Sequence, residues 1–226
     1  SPYNYCANNP VILVDPDGRE ITVKETMGED GKPLYTITFT GKIVNEGNNW
    51  TPEQLQSMAD EMKSSFIKTF SGNGETCNWV AEANITVASE ENPLTDSDHA
   101  IRLRVPGDIP ETNYNSSVVG LAPLGDNVIY LSDGPVGFLP ATEGPLANTG
   151  FHSSGIPTIG NTFCHEFCHS AYIQHNEIPI IGNLMNNIKN LPYQYFGQHV
   201  TEDQIIQINA NANEKGLINS GKQTYP

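Results

Sequence analysis

Residues 163–175 read Phe-Cys-His-Glu-Phe-Cys-His-Ser-Ala-Tyr-Ile-Gln-His, and the spacing of His165, Glu166 and His169 within them decides what kind of molecule this is. A helix beginning near Thr158 places His165 and His169 one turn apart on one face, with Cβ atoms about 5 to 6 Å apart. Zinc to imidazole bonds are about 2.1 Å long, so both rings can reach one ion. Glu166 then lies beside the open position of that ion without being a ligand, where it can accept a proton from water. Random placement of the chain's histidines and glutamates yields about one His-Glu-x-x-His per hundred such sequences. His175, ten residues after His165, lowers that accidental rate to roughly a few in ten thousand. A continued helix would carry His175 about 120° off the ligand face, so the three rings can meet only if the helix ends first.

Outward from this stretch, the chain alternates between two periods. Ile21 to Val23 and Tyr35 to Val44 alternate and are rich in β-branched and aromatic residues, which suits half-buried strands. Thr51 and Gln54 form a capping box with Pro52 at the first helical position, and Leu55, Met58, Ala59, Met62 and Phe66 recur at helical spacing. Strands are expected at Trp79 to Ala88, Ala100 to Val105, Val118 to Ala122 and Asn127 to Ser132, followed by a Gly/Pro-rich loop from Gly134 to Pro157. A last helix starts at Thr201, with Gln204 completing a second capping box and Val200 placed to staple to Ile205.

Composition narrows the function classes. The 226 residues suffice for a real core, and the net charge of -15 repels a phosphate backbone, so nucleic-acid binding is not expected. No stretch approaches the roughly 18 apolar residues of a membrane span, and no basic-then-apolar leader opens the chain. No membrane insertion is expected, and the chain is read as soluble and monomeric. Four cysteines, Cys6, Cys77, Cys164 and Cys168, are too few for a disulfide framework. Cys164 and Cys168, one helical turn apart, rarely meet disulfide geometry with each other; they are read as packing or pairing elsewhere, with Cys77 the likelier partner for either.

The pattern His165-Glu166-x-x-His169-x-x-Tyr172-x-x-His175 resembles the metzincin clan of zinc peptidases, whose motif has a glycine where Tyr172 stands. The resemblance implies one catalytic zinc ion on His165, His169 and His175, with Glu166 as general base for hydrolysis of a protein or peptide substrate. It implies a methionine turn beneath the metal, matched by Met185 in Gly182 to Asn187, and an edge strand that pairs with substrate, matched by Gly120, Leu121 and Ala122. It further implies an α+β, zincin-like fold: a twisted mixed β-sheet with two helices packed on it, the active-site helix being one element, then a small C-terminal subdomain with one helix. The boundaries are about 19–175 and 176–226. In the clan the glycine permits a sharp helix exit, often at positive φ, which costs a bulky residue about 1 to 2 kcal/mol. Glu202 therefore stands as a rival third ligand, since a glutamate from a later helix would let the active-site helix continue past Tyr172. Tyr193 and Tyr195 are candidates to present a phenol to a tetrahedral intermediate.

The opening segment carries a second resemblance. Tyr3, Tyr5, Asn8, Asn9, Pro10 and Asp15 to Gly18 are similar to the closing signature of the RHS/YD-repeat core. That implies a boundary at residue 18, a shell upstream, and a domain at 19–226 that is the secreted or cell-surface effector or toxin tip of a bacterial protein, with an inhibitor or immunity protein as a further partner. A non-catalytic adhesion module with a structural metal is the alternative, although it has no use for Glu166. Asp96-Ser97-Asp98 is a weak calcium candidate that lacks a ligand ladder. His99, His152 and His199 bear no spacing relation to the motif and are read as surface or core histidines.

Overall fold

The structure is a computed structural model that describes residues 21–47, 50–110, 119–133, 157–187 and 197–219. Its strands are β1 (Ile21–Met27), β2 (Pro33–Asn45), β3 (Gly72–Asn73), β4 (Asn78–Val87), β5 (His99–Arg104), β6 (Gly120–Leu121) and β7 (Val128–Ser132), and its helices α1 (Pro52–Thr69), α2 (Ile159–Ser170) and α3 (Glu202–Asn213). The strands form one mixed sheet in the order β3-β4-β2-β5-β7-β6, with β1 also on β2.

β2 organises the sheet because its alternation is long and regular: Tyr35, Ile37, Phe39 and Ile43 are buried while their neighbours are partly exposed. One edge of β2 pairs in parallel with β4 from Leu34 to Ile43. The other edge is shared, with β1 antiparallel along the first half and β5 parallel along the second, where Gly41 meets His99. That division of one edge between two partners goes with the curl of the sheet. β7 continues it in parallel to β5, and β6 closes it as a short antiparallel edge, Gly120 opposite Leu131.

The helices form where the capping chemistry and the apolar period coincide. Thr51 caps α1 and Gln54 bonds back to the Thr51 backbone, so two otherwise orphaned N–H groups are satisfied reciprocally. Thr201 and Gln204 do the same for α3, where Val200 packs against the core that contains Ile205. In α2, Thr158 accepts from the Asn161 N–H, and the Glu61 carboxylate of α1 accepts from the Gly160 N–H at 3.2 Å, placing negative charge at the positive end of the helix. Gly160 allows this approach, since a side chain there would run into Ser65.

α2 is apolar on the side away from its histidines. Phe163 and Phe167 interlock with Phe39 of β2 and Phe66 of α1, ring centroids lying 4.8 to 6.2 Å apart and several pairs edge to face. Each fully buried phenylalanine is worth roughly 1.5 to 3 kcal/mol, so this cluster fixes the rotation of α2 and hence the direction its polar face presents.

Three expectations need correction. β1 runs on to Met27, four residues past the apolar run, because Lys24 to Met27 pair with β2 but face solvent and carry no alternation. β3 was not expected at all, being too short to show a period. Cys77, Cys164 and Cys168 are all free and buried, so of the two readings packing stands and pairing with Cys77 does not. Burial holds these thiols protonated, pushing Cys77 up to about 11 and Cys164 up to about 12. Residues 1–18 and Val118 lie outside the described residues.

Candidate metal centre

α2 stops five residues before His175, and the way it stops brings the third ring back. Ala171 is the cap, Tyr172 takes φ 62, and two bonds close the turn: Tyr172 N–H to His169 O and Ile173 N–H to Cys168 O, both at 2.8 Å. This is the Schellman arrangement with a tyrosine at the left-handed position that glycine usually occupies. Asn211 of α3 adds two bonds, its Nδ2 donating to Ala171 O at 3.0 Å and Tyr172 O at 3.2 Å. Tyr172 also packs against the core, which helps offset the cost of its backbone.

His165, His169 and His175 consequently converge, with one ligand atom from each lying within 4.8 Å of the others. His165 Nε2 and His175 Nε2 are 3.0 Å apart. A tetrahedral ion with bonds of about 2.1 Å separates its nitrogens by about 3.4 Å, so the cluster needs only small ring movements to fit one. The chemistry of the donors fits as well. His165 Nδ1 faces Leu184 O at 2.9 Å and His169 Nδ1 faces Ile173 O at 2.8 Å. Each Nδ1 therefore donates, which leaves the lone pair on Nε2, where a metal needs it. Desolvation lowers His165 to about 3 and His169 to about 4, and it lowers His175, the most exposed of the three, as well.

Glu166 stands beside this cluster and is 6% exposed. Desolvation pushes its carboxyl up to about 8, opposed by a hydrogen bond from the Ala122 backbone. Gly120 makes room for it: a Cβ there would lie 2.6 Å from Glu166 Oε1 and 2.8 Å from Thr162 Cγ2. Gly120 and Leu121 thus form the edge strand β6 directly over the carboxylate, with Ala122 next in line. Two hollows flank the site. One, of about 190 Å³, lies among Asn161, Thr162, Leu184 and Asn186, and the wider one, of about 790 Å³, runs along Val119 to Leu124. His165, Glu166 and His175 wall both.

Met185 is fully buried in a turn that begins at Gly182, and its carbonyl accepts from the Asn176 N–H at 3.0 Å. Glu202 is not in the cluster. Its carboxylate caps the β3–β4 turn, accepting from the N–H groups of Glu75, Thr76 and Cys77 and from Thr76 Oγ1. The Thr76 hydroxyl and these N–H groups lower it to about 2. In the calcium candidate, Asp98 is engaged by Lys42 Nζ at 2.9 Å and by Thr95. Among the described residues, the three histidines are the one group arranged to hold an ion. His99 is a core residue packed on Phe39, His199 pairs with Asn183 through the backbone, and His152, Tyr193 and Tyr195 lie outside the described residues.

Sequence reasoning missed what orients the ligands. The carbonyls of Ile173 and Leu184 leave no signature, because every residue has one. The amides of Asn176, Asn183, Asn186 and Gln204, of which the last three are buried, bond one another behind the cluster and have no spacing that marks them beyond the methionine turn and the helix cap. Their clustering just after a suspected third ligand was the available signal.

No protein-family profile matches the chain, and no curated protein matches it. A solved structure titled "Structure of a chaperone-substrate complex" aligns with 87% of this chain and 37% of its own, at 11% identity and a TM-score of 0.36. A likeness that slight carries no argument about fold or function.

Proposed function

We propose that the protein is a zinc-dependent endopeptidase. One observation supports this reading above the rest: three imidazoles converge, two of them with Nδ1 held by a carbonyl so that Nε2 is free, beside a buried carboxylate. A zinc ion held by His165, His169 and His175 supplies Lewis acidity, lowering the pKa of water toward about 7 and polarising a carbonyl.

The chain's own groups do the rest. Glu166 takes the proton of the attacking water on a carboxylate oxygen and returns it to the leaving amine. The Ala122 N–H holds that carboxylate in place, and the positive charge of a bound zinc ion would oppose the desolvation that raises its pKa, favouring the ionised form that accepts a proton. Among the described residues β6 is the last strand of the sheet, and an extended substrate lying along its outer edge as an added strand would bring its carbonyl over Glu166. A module keeping its metal for structure alone has no need of a buried, basic carboxylate next to the ion. On the resemblance of residues 1–18, we read the domain as the exported tip of an RHS-type protein, with an inhibitor or immunity protein as its partner.

The test is digestion of a peptide library by wild type and Glu166→Gln in parallel, with and without a chelator, alongside zinc analysis of both. Glu166→Gln is expected to keep the metal and lose on the order of 100- to 10,000-fold in rate. Equal rates in the two proteins, or digestion that survives complete zinc removal, contradict the assignment.

A further inference from the structure

Two of the three histidines are aimed by carbonyls at Nδ1, those of Leu184 and Ile173. His175 is not: its Nε2 lies 3.0 Å from His165 Nε2, and among the described residues nothing bonds its Nδ1. Its position therefore depends on the backbone that carries it, residues 171–176. That segment is held at both ends from one helix. At its start, Asn211 Nδ2 donates to Ala171 O at 3.0 Å and Tyr172 O at 3.2 Å. At its end, Gln204 Nε2 donates to Asn176 Oδ1 at 3.3 Å, while Asn176 Nδ2 donates to Asn183 Oδ1 at 2.8 Å and Asn183 Nδ2 to Gln204 Oε1 at 2.9 Å. The Asn176 N–H also bonds Met185 O at 3.0 Å, tying the same point to the methionine turn.

Gln204 and Asn211 are seven residues apart, two helical turns, so their side chains leave α3 on the same face about 10 Å apart along its axis. They are 7% and 1% exposed, and buried amides with their bonds made are rigid fixtures. We infer that Gln204 and Asn211 are positioning residues for the third metal ligand, α3 acting as a two-point clamp on the segment that presents His175. This rests on the reading of the three histidines as a metal site. It also explains how a tyrosine holds the left-handed turn: the carbonyls on either side of its α-carbon are fixed from α3 by a residue about forty positions away.

The same helix provides a control. Asn213 Nδ2 donates to Val23 O at 2.9 Å and so fastens α3 to β1, with no bond to residues 171–176. Loss of that bond lowers stability without touching the clamp. The experiment compares Asn211→Leu, Gln204→Met and Asn213→Leu with wild type in the full chain. It measures zinc affinity by chelator competition, the number of imidazole ligands by zinc X-ray absorption, and hydrogen exchange of the Ile173 and Asn176 amides in the metal-free protein. Asn211→Leu and Gln204→Met are expected to weaken zinc binding roughly 10- to 100-fold, lower the imidazole count from three toward two, and speed exchange at both amides. Asn213→Leu is expected to lower the urea midpoint while leaving zinc affinity within about threefold of wild type.

Unchanged zinc affinity in a folded Asn211→Leu or Gln204→Met protein overturns the inference. So does an equal loss in Asn213→Leu, which makes the effect one of general stability. If Asn211→Leu fails to fold, Asn211→Asp keeps the shape and turns an acceptor toward the two carbonyls, and the same expectations apply to it. A wild-type protein that binds no zinc is a separate result that refutes the proposed function itself.

Discussion

Gly120→Ala is the sharpest perturbation of the proposed chemistry, because it adds one methyl group where the base sits. An ideal Cβ at residue 120 lies 2.6 Å from Glu166 Oε1, 2.8 Å from Glu166 Cγ and 2.8 Å from Thr162 Cγ2. Ordinary contact between such atoms begins at about 3.5 Å, so some atoms must move by about 0.7 to 0.9 Å. β6 is tied to β7 at Gly120 and by the Ser132 N–H to Val119 O at 2.9 Å, and Thr162 is fixed on α2. The Glu166 side chain is the part that yields. A displacement of about 1 Å at a catalytic group costs on the order of 100-fold in rate, and overpacking costs about 1 to 3 kcal/mol of stability. The ligands are untouched. Peptidase kinetics, zinc stoichiometry and a thermal melt on the same preparation are expected to show kcat down on the order of 100-fold with zinc retained at the wild-type ratio. A folded Gly120→Ala protein with kcat within about threefold of wild type would refute the placement of Glu166 as the base.

At the helix exit, Tyr172→Gly is expected to be more stable than Tyr172→Ala by about 1 kcal/mol in urea melts, the reverse of their helix propensities, because φ 62 favours glycine. The reverse order contradicts that backbone conformation. His175→Ala is expected to weaken zinc binding by more than the roughly 10- to 100-fold that loss of an outer partner costs, measured by chelator competition, and an unchanged affinity removes His175 from the site. His99 is buried and lowered to about 3, so the unfolded chain takes up a proton near 6.5 that the folded one refuses. Stability is therefore expected to fall as pH drops from about 6.5 toward 3, with a smaller slope in His99→Phe when urea midpoints are followed against pH. Glu202 has the opposite origin and the same sign: lowered to about 2, it stabilises fully above its unfolded value near 4.5 and loses that contribution as pH falls toward 2. Glu202→Gln is expected to remove that part of the acid dependence.

Most of the fold was legible because its signals are local. Thr51 with Gln54 and Thr201 with Gln204 announce their helices by side-chain chemistry that needs no tertiary partner, and β2 announces itself by alternation. β3 and the outer half of β1 were hidden for the converse reason: two residues have no period, and a solvated strand buries nothing. The site divides the same way. His165, Glu166 and His169 lie within five residues of one helix, so their spacing alone brings them together. The arrival of His175 depends on Tyr172 adopting a backbone angle its side chain disfavours, which Asn211 makes tenable from the other end of the C-terminal region. Glu202 looked like a ligand because it is a glutamate on a later helix, yet three backbone N–H groups of the 75–77 turn take its carboxylate instead. Which acceptor a carboxylate's neighbours offer is a property of packing that spacing does not carry.

The most direct measurement is zinc K-edge X-ray absorption, with an anomalous difference map, on protein purified without added chelator. Three imidazole nitrogens at about 2.1 Å and one exchangeable oxygen, with density between residues 165, 169 and 175, is the expected result. A zinc-free protein with no measurable affinity, an ion on two histidines with residue 175 turned to solvent, or a fourth protein ligand closing the open position contradicts it.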